Sequence, residues 1–148
     1  FVGSRGLGDV YKRQAMIYKN KVAGPSYDQG ATLKALNFFE DYLILYAEAP
    51  LQSPHENGAD YQKRLDETKE RKANAEKGRK EMREVLAASK VELGAYVEKF
   101  GKYYLTRWRE LGNGPSIHFY NEAITTAPES TAAREAEQKI ANLRAADE

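Results

Sequence analysis

Two separate stretches of this 148-residue chain follow one pattern: Ala35-Leu-Asn-Phe-Phe-Glu-Asp-Tyr-Leu-Ile-Leu-Tyr-Ala-Glu48 and Ser116-Ile-His-Phe-Tyr-Asn-Glu-Ala-Ile-Thr-Thr-Ala-Pro-Glu129. Each begins with a small residue and an aliphatic one, then an aromatic pair, Phe38-Phe39 or Phe119-Tyr120. Positions i, i+4 and i+7 hold Ala35, Phe39 and Tyr42 in the first copy and Ser116, Tyr120 and Ala123 in the second. Residues at that spacing share one face of an α-helix. The second copy ends at Pro128, which cannot continue a helix. The spacing predicts two helices of one kind, each with a small residue that admits a neighbour closely and a ring one turn further on.

The rest of the chain reads as helix and turn. Ala15–Ala23 has the pattern of a helix end, and Gly24–Gly30 is a loop by its Gly and Pro content. Helix resumes at Ala31 or Thr32 and runs to Glu48, with Leu33, Leu36, Phe39, Leu43 and Tyr46 at helical spacing. A break with Pro50, Pro54 and Asn57-Gly58 follows. From Tyr61 to Tyr103 apolar residues recur by fours and threes, but Thr68, Lys72, Arg79 and Ser89 interrupt the series. The span from Asp66 to Lys80 is therefore expected to project into solvent or pack loosely. Gly78, about 1 kcal/mol worse than Ala in a helix, is its expected weak point. One or two helices are expected between Tyr61 and Leu111, then a turn at Gly112–Pro115. Pro115 suits the first turn of a helix over Ser116–Ala127, and Ser130 or Thr131 suits the cap of a last helix, Ala132 to Leu143. Nothing alternates as a strand would. The expected class is all-α.

Charge excludes some functions once the first residues are set apart. Residues 1–14 show no apolar periodicity and resemble a translated sequencing-adapter read-through, so they read as a non-native tail. Arg5, Lys12 and Arg13 against Asp9 give that tail a net charge of +2, and the chain as a whole carries +1. Residues 15–148 therefore carry −1, which lends no support to a nucleic-acid or anionic-membrane partner. The chain has no cysteine, hence no thiolate nucleophile or thiolate metal site. No apolar run is long enough to span a bilayer.

Residues that could carry chemistry do not converge. The spacing of Gly3, Gly6 and Gly8 lacks the preceding strand and following Lys-Ser/Thr of a phosphate loop. His55 lies in a Pro-rich break and His118 beside an aromatic pair, neither with further ligands at helical spacing. These are read as a surface histidine and a partly buried one. Glu40 and Asp41 project to solvent, where a carboxyl makes a poor general acid. The run Lys63–Glu84 mixes both signs, with Glu67/Arg71 and Glu76/Lys80 as helical pairs, and reads as a solvated face. Catalytic, cofactor-binding and metal-ligating residues are accordingly not assigned, and no cofactor is implied. The segment Tyr96–Leu111 is the one candidate surface. Tyr103, Tyr104 and Trp108 combine there with Arg107, residue types that dominate protein-binding hot spots. Burial in a core is the leading competing reading for these rings, and a membrane interface the lesser one.

Ser116, Tyr120, Ala123 and Pro128 stand where the tetratricopeptide (TPR) repeat has small, aromatic, small and Pro positions, and Ala35 and Phe39 match in the first copy. Leu93-Gly94 resembles the Leu-Gly pair of such a repeat's first helix. Tyr42 and Ala47 depart from the pattern, and the span between copies exceeds a unit of about 34 residues. The expected architecture is a TPR-like helix-turn-helix solenoid with a long charged helix between degenerate repeats, over residues 15–148. With Gly24-Pro-Ser-Tyr-Asp-Gln29 and Phe38-Phe-Glu-Asp-Tyr-Leu-Ile-Leu-Tyr46, the chain resembles the BamD-like TPR lipoproteins of the outer-membrane β-barrel assembly machinery. The resemblance implies the C-terminal part of a longer, non-catalytic scaffold on the periplasmic side of the outer membrane. Its attachment would run only through an N-terminal lipid anchor that this sequence does not include. It also implies protein partners, assembly components or unfolded outer-membrane proteins, and no nucleic acid. Another periplasmic or cell-envelope TPR adaptor is the nearest alternative, and a helical enzyme or nucleic-acid-binding domain a more distant one.

Overall fold

Helix formation here follows from a chain dense in Ala, Glu, Lys and Leu, with most Pro residues in the breaks between helices. The computed structural model describes residues 2–22, 24 and 29–148, without the side chains of residues 2–5. In order come α1 (Val2–Lys21), α2 (Gly30–Leu45), α3 (Gly58–Tyr104), α4 (Trp108–Leu111), α5 (Gly114–Thr126) and α6 (Thr131–Ala146). There is no strand among the described residues. Residues 25–28 of the Gly24–Gly30 loop lie outside them.

The central element is α3, a single helix of 47 residues, about 70 Å long at 1.5 Å per residue. Its start is fixed by Asn57, whose side chain accepts a hydrogen bond from the Asp60 backbone N–H at 2.8 Å. Both template helices lie against it: α2 packs between α1 and α3, and α5 packs between α3 and α6. One core joins Ala35, Leu36, Phe39, Tyr42 and Leu43 of α2 to Ala75, Met82 and Leu86 of α3. A second joins Tyr120 and Ala123 of α5 to Ala87 and Val91 of α3 and to Ala132, Ala136 and Ile140 of α6. Moving from Leu86 to Ala87 turns the helix face by about 100°. The two template helices thus occupy adjoining faces of one helix, one after the other along its length.

The small and aromatic template positions are the buried ones. Ala35, Ser116, Tyr120 and Ala123 are fully buried and Phe39 nearly so. Each of the two rings sits on a glycine of α3. A Cβ on Gly94 would stand 2.5 Å from Cε1 of Tyr120, and one on Gly78 would stand 2.6 Å from Cε1 of Phe39. Gly78 is therefore a seat for a ring and not the weak point expected from helix propensity. The series that suggested a buried stripe is also corrected. Ala75, Met82 and Leu86 of that series are buried, and so is Ser89, whereas Leu93, Tyr96 and Tyr103 are exposed, because after Leu86 the buried face of α3 turns to Ala87, Val91 and Gly94. Pro128, exposed, lies just beyond Ala127 at the end of α5 and takes no part in packing.

Termini and straps complete the frame. Ser130 Oγ accepts from the Ala133 N–H at 3.1 Å, capping α6 as its sequence suggests. Arg83 Nε donates to the Thr126 carbonyl at 3.0 Å, placing a cation at the negative end of α5. The break after α2 runs back along the solvent-facing start of α3. There Arg64 bonds both carboxylate oxygens of Glu56, at 3.0 and 2.7 Å, and the Leu51 carbonyl at 2.7 Å. Tyr61 donates to the Pro50 carbonyl at 3.0 Å. Residues 2–14, whatever their origin, are helical and continuous with Ala15–Lys21. Gly8 abuts the ring of Tyr46, and Tyr11 and Tyr18 lie 6.1 and 5.8 Å from the ring of Phe38.

Removing either seated ring should open a cavity. Phe39→Ala and Tyr120→Ala are each expected to cost about 3–5 kcal/mol in urea unfolding, while Tyr103→Ala, on an exposed face, should cost less than about 0.5 kcal/mol. Small and equal losses for all three would contradict this packing.

Candidate protein-interaction surface

At its C-terminal end α3 changes from a buried helix to an exposed one. Gly101 is the last buried residue, and beyond it Tyr103 and Tyr104 face solvent, 74% and 51% exposed. Leu105 is extended, and Arg107 adopts a left-handed φ of 62°, unusual for a residue with a Cβ. That turn folds Trp108 back onto Gly101, where a Cβ would stand 2.5 Å from the indole Cζ3. Arg107 spends its guanidinium locally: its Nε donates to Glu110 at 2.5 Å.

The four residues singled out from the sequence therefore have different fates. Trp108 is half-buried and serves to close the end of α3, and Arg107 forms an exposed pair worth about 0–1 kcal/mol. Tyr103 and Tyr104 remain open, which overturns the reading of these rings as core. The structure adds partners that sequence spacing did not gather. Tyr96 stands 53% exposed, its ring 4.9 Å from Phe100 and 6.0 Å from Tyr104. With Leu93 and Val97 of α3 and Leu105 beyond it, Tyr96 and Tyr104 form one wall of an apolar groove. Pro115 and Phe119 of α5 form the other. Phe119 could have been found: it is one residue, about 100°, from Tyr120, so the two rings cannot bury on one face.

The aromatic pair of each template divides in this way. Phe39 and Tyr120 rest on α3, while the first ring turns aside. Phe38 is covered by Tyr11 and Tyr18 of α1. Phe119 instead borders the groove, with His118 edge-on at 5.7 Å. His118 is exposed, not partly buried, and its Nε2 lies 3.3 Å from Glu122 Oε1, whose other oxygen lies 3.1 Å from Lys90. Glu40 and Asp41 are exposed on α2.

Electrostatics inside the two cores concern tyrosines. Burial, and secondarily the neighbouring Tyr46, push the Tyr42 hydroxyl pKa above its ordinary value. Burial, then the Glu98 carboxylate, push that of Tyr120 up strongly. Glu98 is near enough to act on the charge of Tyr120, yet the hydroxyl has no partner in hydrogen-bond geometry, nor has buried Ser116 Oγ. The two tyrosine hydroxyls stay protonated near neutral pH, and that of Tyr120 is buried without a partner.

Comparison with known proteins adds no assignment: no family model, no curated protein and no solved structure matches this chain. Among the described residues no helix is long and apolar enough to cross a membrane.

The buried hydroxyls give a pH prediction. A tyrosine held protonated when folded leaves stability intact below the ordinary value of 10.0. Stability then falls as pH rises from there toward the folded-state pKa, because only the unfolded chain releases the proton. Tyr120→Phe should match or exceed the parent in urea unfolding at about pH 7, since an unpartnered hydroxyl is removed, and should lose less at about pH 11. A loss above about 1 kcal/mol at neutral pH would show that the hydroxyl has a partner.

Proposed function

We propose that this chain is a non-catalytic helical scaffold of the tetratricopeptide type that binds other proteins through the groove between the end of α3 and the start of α5. One observation carries the reading. Tyr96 and Tyr104 stand about half-exposed over an apolar groove whose floor, Val97, is buried, on elements locked by Gly94–Tyr120 and Gly101–Trp108 contacts. Large rings held in place lose little entropy on binding and supply much contact area, which is what makes them interface anchors. The resemblance to BamD-like lipoproteins supports placing the scaffold on the periplasmic side of the outer membrane. On that reading its partners are assembly components or their unfolded clients, and its anchor is a lipid attached ahead of this sequence.

Binding and folding separate cleanly in this design, which gives the test. The immobilised chain and its Tyr104→Ser variant should melt within a few degrees of each other, because Tyr104 lies outside both cores. From a detergent extract of outer membranes the parent should retain discrete proteins, and the variant about tenfold less. Equal retention by both would remove the groove from the function. Retention of nucleic acid that salt abolishes would replace the scaffold with a different class of binder.

A further inference from the structure

The helix α3 has two ends, one written in the sequence and one imposed by packing. Between Lys102 and Leu111 there is no Gly or Pro to stop it. Val97, Gly101, Tyr104, Trp108 and Leu111 follow one another by four, three, four and three, so a continued helix would carry them on one face. The stop that such a helix needs stands at Gly112, which adopts φ 55° and ends α4. The structure instead breaks the helix after Tyr104, with Leu105 extended and Arg107 at φ 62° and ψ 25°. Among the described residues Arg107 is the one with a side chain that has a positive φ, a strained position for it. What holds the break is Trp108. It alone in α4 is sheltered, its indole resting on Gly101. A second tie lies at the surface, where Asn113 Nδ2 donates to Asp147 at 3.1 Å.

We infer that this break is a latch: in a second state of the molecule α3 runs unbroken to Leu111, with Trp108 released from Gly101. The latch does not depend on what the groove binds. Adding residues 105–111 lengthens α3 by about 10 Å. The connection can follow, because residues 112–117 span about 20 Å when unwound. Tyr120 then stays on Gly94 while α5 gives up its first turn. That turn is weakly held: Asn113 provides no side-chain cap, and Ser116 Oγ is buried there without a partner. Each state keeps what the other forfeits. The latched form shelters the indole. The straight form relieves Arg107 and supplies helical acceptors to the N–H groups of Thr106 and Arg107, which have no backbone acceptor in the break. It also sets Trp108 and Leu111 on the face of Val97 and Tyr104, lengthening that wall of the groove, while Pro115 leaves the opposite wall.

The chain has one tryptophan and no cysteine, so both states can be read directly. The test is the distance between spin labels on Lys77→Cys and Arg109→Cys, both at exposed positions, with Trp108 emission read on the unlabelled chain. A straight helix sets these two positions about 48 Å apart. The latched form, with Trp108 turned back onto Gly101, gives a shorter distance. The parent should show mainly the short one. Gly101→Ala, whose Cβ would take the place of the indole, should make the long distance the major one and shift Trp108 emission to the red. Arg107→Gly, which accepts the left-handed backbone, should leave only the short distance. Trp108→Ala removes the latch without adding bulk and should lengthen the distance as Gly101→Ala does. Red-shifted emission with a broad, short distance would show an end that frays instead of continuing as helix, and would overturn the inference. An unchanged short distance in both latch variants would overturn it too, as would one in Trp108→Ala alone should Gly101→Ala fail to melt cooperatively.

Discussion

The structure depends on rings seated on glycines. Phe39 on Gly78, Tyr120 on Gly94 and Trp108 on Gly101 join three separate elements to one helix, and each contact exists because the glycine has no Cβ. Glycine weakens an isolated helix, by about 1 kcal/mol each relative to alanine. A buried ring contributes more than that, so the exchange is favourable wherever a neighbour supplies one. The seats are spaced along α3 so that α2 meets its middle, α5 its C-terminal half, and the α4 turn its end. Around the seats Met82, Leu86 and Val91 fill out the buried side of α3.

The same arrangement explains where the molecule is stiff and where it offers a surface. Between Ala75 and Gly101 the buried side of α3 is continuous, first toward α2, then toward α5. Before Ala75 its side chains tie down the strap that follows α2, Arg64 holding Glu56 and Tyr61 the Pro50 carbonyl. Beyond Gly101 the backbone leaves the helix through the left-handed Arg107 and returns Trp108 to the last seat, and the aromatic residues left outside form the groove wall. The exposed rings at the end of α3 are carried by a helix pinned at Gly94 and Gly101; on the proposed scaffold reading that limits the ordering cost of binding.

Much of the fold was legible in the sequence, for identifiable reasons. The repeated small–aromatic spacing named Ala35, Phe39, Ser116, Tyr120 and Ala123, all of which are buried, and turn chemistry at Pro115 and Ser130 placed two helix starts within a residue or two. The long span was harder. Counting large apolar residues found Met82 and Leu86, which are buried, but also Leu93, Tyr96 and Tyr103, which face outward, because after Leu86 the buried face turns to Ala87, Val91 and Gly94, mostly small residues that a periodicity read from large side chains passes over. Gly78 looked like a defect for the same reason: its partner, Phe39, is distant in sequence. The candidate surface was half-legible. Tyr103, Tyr104, Trp108 and Arg107 drew attention by type, but only the fold separates the exposed tyrosines from the seated tryptophan and brings Pro115 and Phe119 opposite them.

A double-mutant cycle of Gly78→Ala with Phe39→Leu in urea unfolding shows whether α3 organises the molecule through ring seats. Gly78→Ala alone should destabilise by about 1–3 kcal/mol through overpacking, despite alanine's helix advantage. In the Phe39→Leu background that loss should largely vanish, a coupling of at least about 1 kcal/mol. If Gly78→Ala instead stabilises the chain by about 1 kcal/mol, as an unencumbered helix would allow, and does so equally in both backgrounds, the ring is not seated there and α3 is held by other contacts.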